Sequence, residues 1–122
     1  MKNKRPVNLD LRTIHFPLAA LASITHRVSG VIVFLGLFGL LYLLDLSLRS
    51  EQSFNSLAAL GPFARFLLWG VLAALAFHTV AGVRHLFLDL GIGESKEGGP
   101  RTATAVFVVS AVLIVLLGVW VW

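Results

Sequence analysis

Apolar and polar positions fall into long blocks along this chain. If Asp, Glu, Lys and Arg are counted as charged, three runs carry no charge: Val28 to Leu44 (17 residues), Phe66 to Val83 (18) and Thr102 to Trp122 (21). A helix rises about 1.5 Å per residue and the hydrocarbon core of a bilayer is about 30 Å thick, so roughly 20 residues cross it. Each run reaches that length once its flanks are included. The pattern predicts helices over about 20–48, 62–90 and 102–121. Between them, Ser50 to Pro62 is polar and contains Ser, Asn, Gly and Pro, so it reads as a connection. Gly91 to Pro100 reads as a plain loop, with Gly91 suited to a helix C-terminus and Pro100 preceding the next helix start. No internal period suggests a repeat array. The expected fold class is an all-α integral membrane protein with three transmembrane helices, one membrane-anchor domain over residues 1–122 with an N-terminal segment at 1–19.

Composition sharpens this reading. The chain is 57% hydrophobic and 13% charged, with no cysteine, and its mean hydropathy is +0.88. Soluble domains are nearer a quarter charged. A disordered chain, a disulfide-stapled secreted module and a Cys-based zinc or iron–sulfur protein are excluded. The formal net charge of +4 would suggest nucleic acid in a soluble protein. Here the basic residues sit mainly outside the apolar runs and act first as topology signals. Lys2, Lys4, Arg5, Arg12, Arg27, Arg84, Lys96 and Arg101 fall on one side, and only Arg49 and Arg65 on the other. The expectation is a cytoplasmic N-terminus and second connection, a periplasmic C-terminus, and Trp120 and Trp122 in an interfacial aromatic belt. Residues 1–19 contain Asp10, Arg12 and two prolines and no apolar core, unlike a cleavable signal. The bacterial inner membrane is the expected location.

Ionisable residues inside a bilayer are costly and are functional candidates by default. His78 has apolar neighbours on both sides, and Ala74 and Gly82 lie one turn away on its own face, with Ala81 beside them. Small residues above and below a histidine leave a flat space in which a haem macrocycle can lie, and neutral imidazole is a common axial ligand. The same pattern also suits a histidine bonded to a neighbouring helix, with small residues for close packing. His85 shares the face. It sits about 10 Å further along the axis, while trans ligands of one metal lie about 4 Å apart, so it is not the second ligand of the same iron. Arg84 and His85 stand where the helix leaves the membrane. They either reach carboxylates on a cofactor edge or snorkel to lipid phosphates, and snorkelling is the expected role of each taken alone.

A second cluster opens the first span: Ser23, His26, Arg27 and Ser29, with Gly30 on the face of Ser23 at i+7. A hydroxyl and a guanidinium at the edge of an apolar region suit the two carbonyl oxygens of a quinone. They also suit a positive-inside anchor with a serine satisfying the helix terminus. Asp45 and Arg49 are spaced to pair. Gly36 and Gly39 are expected to mark helix packing, and Arg65 to be an interface anchor. No nucleophile–base pair, phosphate loop or nucleic-acid surface is present.

Ser23-x-x-His26-Arg27-x-Ser29-Gly30 and His78-x-x-x-Gly82-Val83-Arg84-His85-x-x-x-Asp89-x-Gly91, after the opening Arg5-Pro6-Val7-Asn8-Leu9-Asp10-Leu11, resemble the signatures of one family. This is the cytochrome b membrane-anchor subunit of bacterial succinate dehydrogenase (succinate:quinone oxidoreductase). The likeness covers essentially the whole chain and is greatest for the enterobacterial type. It implies a b haem shared with a second, smaller three-helix anchor, with His78 as this chain's axial ligand. Ser23 and Arg27 match residues of the ubiquinone pocket, and His26, Arg27 and His85 fall near the haem propionates. Flavoprotein and iron–sulfur subunits would hold the succinate-oxidising centres, since no dinucleotide fold and no cysteine ligand is available here. Two departures, Leu88 for Met or an aromatic and Phe77 for Tyr, leave these roles intact. The alternatives are a fumarate reductase anchor and a haem-free structural anchor or transporter. A diffusible cytochrome is disfavoured, because one suitably buried histidine cannot supply both axial ligands.

Overall fold

A computed structural model describes residues 5–122. Lys2 and Lys4, which contribute to the expected orientation, lie outside the described residues. Among the described residues four helices follow one another: α1 Leu18–Arg49, α2 Glu51–Ala58, α3 Pro62–Asp89 and α4 Gly98–Val121. Of these, α1, α3 and α4 are long and apolar enough to cross a membrane, so the fold is an all-α bundle of three transmembrane helices. At 32 residues α1 is about 48 Å long, longer than the hydrocarbon core. In its last turns Arg49 Nε donates to Asp45 Oδ2 at 2.9 Å.

The connections are more ordered than their composition suggests. The Ser50–Pro62 stretch contains α2. Ser50 caps it by accepting from Ser53 N at 3.0 Å, and Ser53 Oγ accepts from Ser50 N at 3.1 Å, a capping box with Ser in place of the usual acid or amide. Glu51 sits in the first turn, where the helix dipole favours an anion. Arg65 is not merely an interface anchor. Its Nε donates to Leu60 O and its Nη2 to Ala58 O, both at 3.0 Å, satisfying carbonyls at the end of α2 that have no helical partner. The second connection is also shorter than expected. Gly91 and Gly93 turn the chain at φ 77° and 84°, a region that side-chain-bearing residues avoid. Ser95 Oγ then accepts from Gly98 N at 2.8 Å, and α4 starts at Gly98. Pro100 thus lies inside the first turn, where its missing N–H costs nothing.

The buried positions among the described residues are nearly all small: Ala22 and Ser29 on α1, Ala81 on α3, Ala103 and Ser110 on α4, with Val106 and Arg84. Hydrophobicity cannot draw helices together in lipid, so close backbone approach and polar contacts do the work. Gly36 is one such contact, since a Cβ there would lie 2.5 Å from Val71 Cγ1. Gly39, expected to behave likewise, faces open space among the described residues at the same position. Between α3 and α4, Trp69 Nε1 donates to Ile114 O at 2.9 Å. Gly118 makes room for the indole, whose Nε1 lies 3.2 Å from where a Cβ would be.

Val71 is short and branched and has no way to swing clear of a new methyl. Gly36→Ala should therefore destabilise the α1–α3 packing by about 1–3 kcal/mol, measured as a lower unfolding temperature in detergent. Adding Val71→Ala should recover most of the loss, because the two changes share one space.

Candidate functional site

The chemistry-bearing side chains meet in the seam between α1 and α3. These helices run antiparallel: Gly36 faces Val71, Gly30 faces His78, and Gly82 faces His26. Continuing that register sets Ser23 level with His85. Three histidines come together here. The ring of His26 stacks on His78 with centroids 4.2 Å apart and planes 13° from parallel. Its centroid is 4.9 Å from that of His85, tilted by 37°.

His78 is held at one nitrogen. Its Nδ1 lies 3.0 Å from the backbone oxygen of His26 and 3.1 Å from Ser29 Oγ. A carbonyl oxygen only accepts, so Nδ1 carries the proton and donates. The neutral ring then has its lone pair on Nε2, which has no hydrogen-bond partner among the described residues. This is the tautomer a metal ligand needs, fixed by the bond its other nitrogen makes. Gly30 lies under the ring, where a Cβ would come within 2.9 Å of His78 Cε1.

The small residues beside His78 are partly accounted for by α1. A Cβ on Gly82 would lie 3.5 Å from His26 Nε2, an ordinary contact distance, so the His26 ring borders Gly82 without filling the space beside it. No group of three or more His, Cys, Asp or Glu able to hold a metal occurs among the described residues. A metal bound at one imidazole nitrogen such as His78 Nε2 would need its other ligands from outside the described residues.

Arg84 departs from the snorkelling expectation. It is 8% exposed. Its Nε donates to Thr102 Oγ1 at 3.1 Å and its Nη2 to Gly99 O at 3.4 Å, clasping α3 to the first turn of α4. Arg27 is exposed and Ser23 half-buried. Neither has a side-chain partner among the described residues. Ser23 is unusual in this. Thr25, Ser29, Ser47, Thr79, Thr102 and Thr104 each donate to a carbonyl three or four residues back. Among the described residues of the three long helices, only Ser23 and Ser110 do not, and Ser110 is sealed at 1% exposure. The sole ion pair among the described residues, Asp45 with Arg49, is at the far end of α1. The end carrying Arg27, Arg84 and the histidines is electropositive and suits anionic or carbonyl-bearing ligands.

A family profile described as succinate dehydrogenase/fumarate reductase transmembrane subunit matches residues 1–117. The chain belongs to this family. It is similar to the succinate dehydrogenase cytochrome b556 subunit of Coxiella burnetii, 46% identical over 125 residues that cover 100% of both chains. The subunit of the same description from Paracoccus denitrificans is 31% identical, with 94% of this chain and 90% of the relative aligned. That of Rickettsia conorii is 36% identical, with 98% and 93% aligned. As a member of the family, this multi-pass protein is a non-catalytic membrane-anchor subunit of succinate dehydrogenase.

The sequence did not disclose that Ser29 and the His26 carbonyl grip one nitrogen of His78, because a backbone acceptor leaves no residue-type signal. It did not disclose the Arg84 clasp either, since its acceptors are a threonine and a carbonyl of another helix.

Arg84→Ala should loosen the α3–α4 junction by about 1–3 kcal/mol, read as earlier thermal dissociation of the purified complex. Arg84→Lys should recover little, since an ammonium does not reproduce the guanidinium fork.

Proposed function

We propose that this chain is the haem b anchor of a succinate:ubiquinone oxidoreductase of enterobacterial type. In this reading His78 Nε2 binds the iron of a haem shared with a second three-helix anchor. The observation that carries the reading is the bond from His78 Nδ1–H to the His26 carbonyl. It leaves a bare imidazole nitrogen inside a membrane span, and α1 does not use it. A haem bound there supplies a one-electron store near the quinone.

The residues of this chain have separable tasks. The His26 carbonyl keeps His78 in the ligating tautomer. Ser23 donates its hydroxyl hydrogen to one quinone carbonyl. Arg27, exposed one turn further along α1, holds the pocket electropositive and stabilises negative charge as the quinone is reduced. His26, Arg27 and His85, with no carboxylate of this chain against them, are placed to meet the haem propionates. Electrons from succinate arrive through flavin and iron–sulfur centres of partner subunits. The N-terminus and the α3–α4 connection face the cytoplasm of a bacterial inner membrane, and the C-terminus faces the periplasm. Among the described residues, Arg5, Arg12, Arg27, Lys96 and Arg101 support this side assignment.

A dithionite-reduced minus oxidised spectrum of the complex, co-purified with its neighbours through a tag on this chain, should show a sharp b-type α-band. His78→Ala should abolish or shift that band. An unaltered spectrum removes His78 from the ligand set, and a featureless wild-type spectrum from haem-replete cells leaves a structural anchor. Ser23→Ala should lose quinone reduction while succinate oxidation by artificial acceptors continues. Unchanged quinone turnover removes Ser23 from the pocket.

A further inference from the structure

We propose that Ser29 is the positioning residue that fixes the plane in which His78 presents its free nitrogen. This inference rests on His78 being the axial ligand. Ser29 is a polar residue 6% exposed within an apolar span. Its single hydrogen is committed, since Oγ donates to His26 O at 2.7 Å. The oxygen lone pairs are therefore what face His78 Nδ1 at 3.1 Å, and Nδ1–H is shared between Ser29 Oγ and His26 O.

One acceptor would hold the imidazole at a point and leave it free to turn about that bond. Two acceptors in different directions fix its plane. Gly30 completes the restraint, because the ring rests where a Cβ would come within 2.9 Å of Cε1. His26 stacks across the ring at 4.2 Å. Contacts from about one turn of α1, His26 to Gly30, thus orient a residue of α3, and among the described residues Ser29 supplies the one side-chain hydrogen bond to the His78 ring. Partners of this kind set ligand orientation and basicity, and their loss typically weakens metal binding by about 10–100-fold.

A serine that merely satisfied its own helix would need only the bond to His26 O. The two roles separate with a matched pair of variants. Ser29→Thr and Ser29→Val add nearly the same bulk, and only threonine keeps the hydroxyl. Both would be made in the complete co-expressed complex, together with Ser29→Ala and His78→Ala. The readouts are the haem-to-flavin ratio after growth with limiting haem supply and the low-spin electron paramagnetic resonance signal of the oxidised haem. Ser29→Val and Ser29→Ala should retain haem about tenfold less well and give a broadened, displaced signal, while Ser29→Thr stays close to wild type.

Equal behaviour of the Thr and Val variants, whether both normal or both damaged, overturns the role of the hydroxyl. If neither assembles, Ser29→Ala decides. A displaced signal at normal flavin content upholds the proposal, and a wild-type signal overturns it. An unaltered spectrum in His78→Ala removes the axial-ligand reading itself. A changed spectrum there, with Ser29→Val unchanged, removes only the inference about Ser29.

Discussion

The hydrogen bond from His78 Nδ1 to the backbone oxygen of His26 is the contact around which the α1–α3 seam is arranged. It joins a side chain of one helix to the main chain of another, which requires the backbone of α1 to come close. Gly30 is the consequence on α1, since a side chain there would collide with the imidazole. On α3, Gly82 lies against the His26 ring, where an added Cβ would make an ordinary contact at 3.5 Å. In lipid no water is available to replace a lost partner, so an unpaired imidazole N–H costs more than the roughly 1 kcal/mol net value of an ordinary hydrogen bond. Interhelical bonds of this kind contribute about 0.6–2 kcal/mol in membranes. The contact is therefore specific more than strong: it selects one register of α1 against α3 and one tautomer of His78.

The same physics explains which surfaces are left over. The buried positions are mostly Ala and Ser, while Phe34, Phe38, Leu35, Trp120 and many other large apolar side chains point outward. A bilayer-embedded bundle gains nothing by hiding leucine from lipid, so small residues go to the helix contacts. The bundle remains thin, with a broad apolar exterior and a polar end whose Arg27 and Ser23 have no side-chain partners among the described residues. That division suits an anchor: the interior fixes geometry, and the exterior is available to lipid and to other subunits.

Much of this was legible in the sequence because the decisive signals are local. Charge-free runs of the right length mark α1, α3 and α4, and the two polar clusters stand out against them. The misread parts depend on contacts that residue type does not encode. The capping box of α2 uses serines in a stretch whose composition suggests a loop. Pro100 resembles a helix boundary, yet it is tolerated in a first turn already capped by Ser95. Gly36 and Gly39 look alike in sequence, and only the register of α1 against α3 decides that a Cβ at Gly36 would meet Val71 while one at Gly39 would meet open space among the described residues. Arg84 looks like an interfacial arginine, and the early start of α4 is what brings Gly99 and Thr102 within its reach.

Hydroxyls divide into those the fold uses and those it leaves unbonded. In a membrane helix a serine or threonine lowers its own cost by donating back to the carbonyl three or four residues earlier. Thr25, Ser29, Ser47 and Thr79 all do so. Ser23 has the same recourse and does not take it. It is not sealed in as Ser110 is, since it stands half-buried, one turn from the exposed guanidinium of Arg27 and level with His85. A hydroxyl in that position has a free hydrogen and a route of approach at the edge of apolar surroundings. That is what a substrate with a carbonyl at the end of an apolar body requires. The distinction between Ser23 and its neighbours lies in bonding geometry, which the residue types alone did not carry.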